Sequence, residues 1–177
     1  IWLGTKDGLT RYDGYRFRVF KHDAADPMSI GNNFIRVLYE DADGLIWIGT
    51  NVGVYIYNPE TENFRKFDVA TERGDVISRE VSSIKCDSSG DLWIGVNWQG
   101  VFRYDRRDES LELYEPVPGD TTSLSSVHVW DLCFDGDGNL WVGSQNGGLD
   151  RYDRETDRFV RHRLKGLSDV SRIVLDK

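Results

Sequence analysis

Residues 46–58 read IWIGTNVGVYIYN: one Trp among aliphatic residues, a short break that ends in Gly, and a run alternating Tyr with Val and Ile. Nearly the same phrase stands at 1–13 as IWLGTKDGLTRYD, at 92–105 as LWIGVNWQGVFRYD and at 140–153 as LWVGSQNGGLDRYD. The repeating tryptophans Trp2, Trp47, Trp93 and Trp141 are 45, 46 and 48 residues apart. Each is followed two residues later by Gly4, Gly49, Gly95 or Gly143, and ten or eleven residues later by Tyr12, Tyr57, Tyr104 or Tyr152. Six residues before the internal tryptophans stand Asp41, Asp87 and Asp135, and Asp176 holds the same place in a copy cut short. A fixed period of this length means that one supersecondary unit recurs and that neighbouring copies share a core.

Within one copy the pattern reads as four short strands. The first ends in VLYED, SIKCD, LCFD or IVLD, and a turn of the type DADG, DSSG or DGDG leads to the Trp strand. Asp and Asn side chains accept from nearby backbone N–H groups and Gly adopts positive φ freely, so these are turn residues with a mechanism. A Gly-containing loop leads to the third strand, and NPETEN or DRETDR to the fourth. No stretch carries a helical apolar period. The expected fold is all-β: a β-propeller of about four four-stranded antiparallel blades. The chain reads as one propeller segment, 1–177, with repeats at about 1–34, 35–80, 81–127 and 128–169 and a partial copy at 170–177. The recurring Trp is expected between sheets. Arg16, Arg18, Arg65, Lys66, Arg158 and Arg161 on the fourth strands are expected as a solvated edge that discourages strand pairing with other chains.

Composition excludes several classes. A formal net charge of −8 without a dense Lys/Arg block does not suit nucleic acid, which needs clustered cations. No apolar run approaches the roughly 20 residues that cross a bilayer, so no membrane contact is expected of this segment. The chain begins at Ile1 and reads as an internal fragment, so a missing targeting signal says nothing of location. Cys86 lies one residue before its repeat Asp and Cys133 two before, which on period-two strands points them to opposite faces. Both read as small buried apolar groups without a metal, nucleophilic or disulfide role.

The copies DADGLIWIGTNVGVYIYNPETENF, DSSGDLWIGVNWQGVFRYDRRDESL and DGDGNLWVGSQNGGLDRYDRETDRF, with connections DPMSIGNN and DTTSLSSV, closely resemble the two-component regulator propeller repeat along essentially the whole chain. The resemblance implies a fragment of a larger, seven-bladed ring. It implies the periplasmic sensor region of a bacterial hybrid two-component sensor histidine kinase, which detects breakdown products of complex glycans and works as a homodimer. On that footing the segment is a ligand-sensing module and not an enzyme, with no cofactor, and its partners are an oligosaccharide or other small ligand and the remaining blades and sensor domains. Two rivals are a propeller lyase or hydrolase acting on glycans and a purely structural interaction propeller.

Chemistry is sparse in the residues themselves. Asp135, Asp137 and Asn139 of DGDGN superficially resemble a calcium loop, but Leu140 stands where Gly is required and Asn146 where the twelfth-position Glu should be. His22, His128 and His162 fall at unrelated repeat positions. The candidate ligand site therefore comes from residues that break the repeat at one end of the blades. In the loops between second and third strands, Trp98 has no aromatic counterpart; at the start of the first strand the copies carry Arg36, Ser82, Trp130 and Ser171, with Trp130 the outlier. Aromatic faces beside Asn97, Gln99, Gln145 and Asn146 suit a sugar, whose C–H surfaces stack while amides bond its hydroxyls. Arg36, Lys6 and His128 would complete a site for an acidic glycan. The competing reading has Trp98 and Trp130 packing against each other or filling the centre of the ring.

Overall fold

The computed structural model describes residues 1–162, 166 and 168–176. Among these every regular element is a strand. The first copy holds β1 (Trp2–Thr5), β2 (Gly8–Tyr12) and β3 (Phe17–Phe20); the second β4 (Ile35–Glu40), β5 (Ile46–Thr50), β6 (Gly53–Asn58) and β7 (Asn63–Lys66). The third holds β8 (Val81–Cys86), β9 (Leu92–Val96), β10 (Gly100–Asp105) and β11 (Ser110–Tyr114); the fourth β12 (Val129–Phe134), β13 (Leu140–Ser144), β14 (Gly148–Asp153) and β15 (Arg158–His162). In every sheet consecutive strands are neighbours, which is the plan of a propeller blade. The first sheet has three strands and not four, because the copy at 1–34 opens directly on the Trp strand. The partial copy at 170–177 forms no strand among its described residues, and Lys177 lies outside them. A first strand pairs with the Trp strand of its own copy, as β4 pairs with β5, and residues 171–175 have none within this sequence.

The recurring Asp and Trp form one local device. Asp41 Oδ1 accepts from the backbone N–H groups of Asp43 and Leu45, at 3.0 and 2.9 Å, while its Oδ2 accepts the Trp47 indole N–H at 2.8 Å. Asp87 does the same for Ser89, Asp91 and Trp93, and Asp135 for Asp137, Asn139 and Trp141. One carboxylate thus shapes the hairpin turn and fixes the Trp that follows. Gly44, Gly90 and Gly138 take positive φ in these turns, which is the one conformation there that demands Gly. With its donors counted, Asp135 is fully engaged by its own hairpin, and its carboxyl is held down to about 2, chiefly by the Trp141 and Asn139 side chains.

The residues divide into two compact units, Ile1–Asp68 with Ile77–Val81, and Val69–Val76 with Ser82–Lys177. In the first, Leu9, Ile30, Ile35, Ile46, Ile48, Tyr57 and Phe64 form a buried cluster, with Trp2 edge-on to Tyr57 at 5.1 Å. The sheets approach closely here: a Cβ on Gly4 would lie 2.6 Å from Ile35. In the second unit, Trp93 is wholly buried, 4.6 Å from the Tyr152 ring and 5.7 Å from Tyr114. Arg154 of the fourth copy reaches Asp87 Oδ2 of the third at 2.7 Å, so two sheets of this unit are pinned through the same carboxylate that holds Trp93.

The connections DPMSIGNN and DTTSLSSV are knitted alike. Ser29 Oγ donates to Asp26 O and accepts from Asp23 N, and Ser123 Oγ does so with Asp120 O and Val117 N. The first connection caps the outer strand through Phe64 N–H to Met28 O, the second through Phe159 N–H to Thr122 O. Arg16, Arg18, Arg65, Lys66 and Arg158 are exposed, as the edge reading expects. Arg161 corrects it: its guanidinium is half-buried and donates to the carbonyls of Asp120, Ser123 and Leu124, bracing the connection. Cys86 and Cys133 are free and half-buried, less enclosed than expected.

Candidate functional site

The loop between second and third strands is two residues long in the first two copies, Lys6-Asp7 and Asn51-Val52, and three residues long in the others, Asn97-Trp98-Gln99 and Gln145-Asn146-Gly147. In both longer loops the central residue adopts a left-handed backbone, φ 69° at Trp98 and 59° at Asn146. For a bulky side chain this conformation costs energy and is held only by its surroundings. At Trp98 the backbone N–H donates to Val127 O at 2.9 Å. The residue is nevertheless 63% exposed. The sequence carried a trace of this: the Trp-to-Tyr interval grows from ten to eleven residues in the last two copies.

His128 is the hub of the second unit's candidates. Asn97 and His128 form an isolated antiparallel bridge, and Gln145 N–H donates to His128 O at 3.0 Å. The His128 ring stands edge-on to Trp98 with centroids 4.0 Å apart, and its Nδ1 lies 3.3 Å from Asn97 Oδ1. Gln99 is turned aside to Val76 O, and Asn146 N–H is tied to Asp169. Trp130 is half-buried at the β-bulge of β12, where the register shifts between Val129 and Asp131. Its ring makes no aromatic contact among the described residues; the partner of Trp98 is His128. Bulges re-aim side chains, and the first unit uses the same position for Arg36, at the bulge of β4.

The first unit builds a different surface from equivalent positions. Phe34 replaces His128; the Lys6 ammonium lies 5.6 Å and the Arg36 guanidinium 4.6 Å from its ring centre. Arg36 also donates to Asn51 Oδ1 at 2.8 Å and pairs with Glu80 at 3.1 Å, so its charge is largely answered within the protein. The candidates therefore fall into two clusters. Lys6 and Arg36 are gathered on Phe34, while Trp98, Asn97, Gln145 and His128 meet in the second unit with Gln99, Asn146 and Trp130 beside them. The cavities of about 600 and 380 Å³ in the second unit are lined elsewhere, the first around Ser88, Asp137 and Arg154, the second around Thr71, Arg73 and Tyr114. An exposed indole braced by an imidazole, with carboxamides on adjacent loops, can stack a flat apolar face and bond its hydroxyls.

Residues 29–52 and 123–146 match the two component regulator propeller family. No curated protein matches the chain. Among solved structures it is similar to the extracellular domain of BT3049, assigned as a hybrid two component system of B. thetaiotaomicron, with a TM-score of 0.80, 24% identity, and coverage of 95% of this chain and 23% of that one. For the extracellular domain of BT4673 of the same organism the figures are 0.79, 22%, 96% and 24%. Catalytically inactive virginiamycin B lyase from Staphylococcus aureus with quinupristin is more distant: TM-score 0.64, 12% identity, 92% of this chain and 50% of that one. These likenesses establish the β-propeller fold. The chain spans about a quarter of the length of the first two structures.

Proposed function

We propose, for a chain that carries two-component regulator propeller repeats, that it is part of the extracytoplasmic ligand-sensing region of a two-component signalling protein, and that its ligand is an oligosaccharide seated on Trp98. The observation that carries the reading is Trp98 itself: a large aromatic residue held 63% exposed on a left-handed backbone, in a loop one residue longer than the copies at the start of the chain. Strain of this kind persists where the surroundings enforce it, and an observed outlier supports a functional reading. Asn97, Gln145 and Asn146 supply amides for hydroxyl groups, with His128 edge-on to the indole and Gln99 and Trp130 on the same loop and strand start as further candidates.

The parent protein is a periplasmic, membrane-anchored sensor histidine kinase acting as a homodimer, and this segment performs no catalysis. Signalling follows as a population shift: a ligand that binds one arrangement of the sensor better than another biases the kinase by that difference in affinity. Titration calorimetry against a panel of oligosaccharides tests the site, with Trp98→Ala and Trp130→Ala as controls. Heat from one sugar that disappears in Trp98→Ala supports it. Binding that survives both substitutions refutes the assigned surface, and a glycan turned over rather than bound would move the segment to the enzymes.

A further inference from the structure

At the third position of β14 stands Asp150, where the other copies carry Thr10, Tyr55 and Phe102. Asp150 is fully buried. Its Oδ2 lies 2.6 Å from Ser125 Oγ and 2.8 Å from Ser125 N, and the same Oγ lies 3.1 Å from the Gly147 carbonyl oxygen. Its Oδ1 is buried and has no partner. A serine hydroxyl owns one proton. With the carboxyl ionised, Asp150 and the Gly147 carbonyl would compete for that proton, and Oδ1 would be a buried charged oxygen without a donor, a costly state. With a proton on Oδ2, the acid donates to Ser125 Oγ and Ser125 donates onward to Gly147, so one hydroxyl serves both contacts in permitted roles.

The geometry points to Asp150 being a neutral carboxylic acid in the folded protein, the first donor of a relay through Ser125 to the Gly147 carbonyl that holds the 145–147 loop. The groups around it are few. On β15, Arg161 stands opposite Asp150 in register and His162 follows; the Arg161 guanidinium is occupied by connection carbonyls. The Arg161 charge favours ionisation, yet neither Arg161 nor His162 forms an ion pair with Asp150 among the described residues. On β13 the neighbours are Val142, opposite in register, and Ser144, whose buried Oγ is also unpartnered. The connection contributes Ser125 and Ser126, both uncharged. Burial pushes the carboxyl upward, in the sense the hydrogen bonds require. The loop carries Gln145 and Asn146, so Asp150 is a positioning residue for that surface, though the inference needs no ligand.

Asp150→Asn tests it on the whole chain, since the amide is uncharged at every pH, although an NH2 at the Oδ2 position would face the Ser125 backbone N–H and carries a fixed cost. At about pH 5.5, well above the ~3.9 of a free aspartate, infrared difference spectra should contain a protonated-acid carbonyl band in the wild type that Asp150→Asn lacks. The variant's urea midpoint carries the fixed cost of the misplaced amide, so the diagnostic quantity is how the difference between the two midpoints changes with pH. Raising the pH further should lower the wild-type midpoint relative to the variant, because a carboxyl with a raised pKa loses its stabilising proton on the way up. Absence of the band, or a variant midpoint below the wild type's by an amount that grows with pH, overturns the assignment. Neither readout depends on a sugar, so failure here is distinct from failure of the Trp98 site.

Discussion

Substituting Asp87 by Asn tests the Asp–Trp hairpin at its most loaded instance. The Asp87 side chain is completely buried and accepts four hydrogen bonds: Oδ1 from Ser89 N at 2.8 Å and Asp91 N at 3.1 Å, Oδ2 from Trp93 Nε1 at 3.0 Å and Arg154 Nη2 at 2.7 Å. All four are donors. An Asn amide must turn its NH2 toward one pair, and either orientation sets donor against donor twice. With the NH2 toward Trp93 and Arg154, two charge-assisted bonds are lost, each worth about 1.5–3 kcal/mol, and an inter-sheet cation loses its partner. Arg154 is 42% exposed and regains water, so its share is discounted. The expected loss is about 3–4 kcal/mol, a large part of the 5–15 kcal/mol typical of a domain. Urea unfolding followed by Trp fluorescence measures it, with an unchanged m-value confirming that the midpoint shift is a stability change. A loss below about 1 kcal/mol would refute the view that one carboxylate organises turn, tryptophan and neighbouring sheet.

Acid should act on the same bonds: burial pushes Asp87 up, but the Trp93 and Arg154 donors outweigh it and hold the carboxyl low, while Asp135 lies at about 2. Their contribution is fully present above the usual carboxylate range and is lost as pH falls from about 4 toward 2, measurable as a falling urea midpoint that Asp87→Asn makes shallower. Trp93→Ala should cost about 3–5 kcal/mol in the same assay. Trp98→Ala, at an exposed site, should stay within about 1 kcal/mol while abolishing sugar binding. A Cβ on Gly31 would meet the Tyr55 hydroxyl at 2.2 Å and its ring at 2.4 Å, so Gly31→Ala should lose about 1–3 kcal/mol. In a double-mutant cycle with Tyr55→Thr, the pair should lose less than the sum of the single losses by about 1 kcal/mol or more.

Strand number, order and turn chemistry were legible because spacing encodes them: a Trp recurring every 45 to 48 residues, with Asp six before and Tyr ten or eleven after, leaves one arrangement of short antiparallel strands. What spacing does not encode is the partner of each side chain. The indole N–H bond to the Asp six residues upstream was visible only as a recurring interval. Arg161 reads as one more edge cation until the backbone carbonyls of 120–124 fold over it. Asp150 hides inside LDRYD, and only a comparison of copies at the third position of the third strand would have exposed it. At the candidate surface, Trp98 stood out as a repeat-breaking aromatic. His128 is among the candidates the sequence offers, but its contact with the indole could not be foreseen, because it joins residues 98 and 128 on consecutive copies.

Because every sheet joins strands in chain order, and because Asp87 and Trp93 are only six residues apart, each Asp–Trp hairpin can form before any distant part of the chain arrives. Local closures of this size are fast and cost little loop entropy, whereas stacking one sheet on the next must wait for whole copies. Folding is thereby divided into an early, copy-by-copy stage and a later docking stage. Bonds such as Arg154 to Asp87, which span copies, belong to the second, so removing the arginine should quicken unfolding and leave the refolding rate nearly untouched.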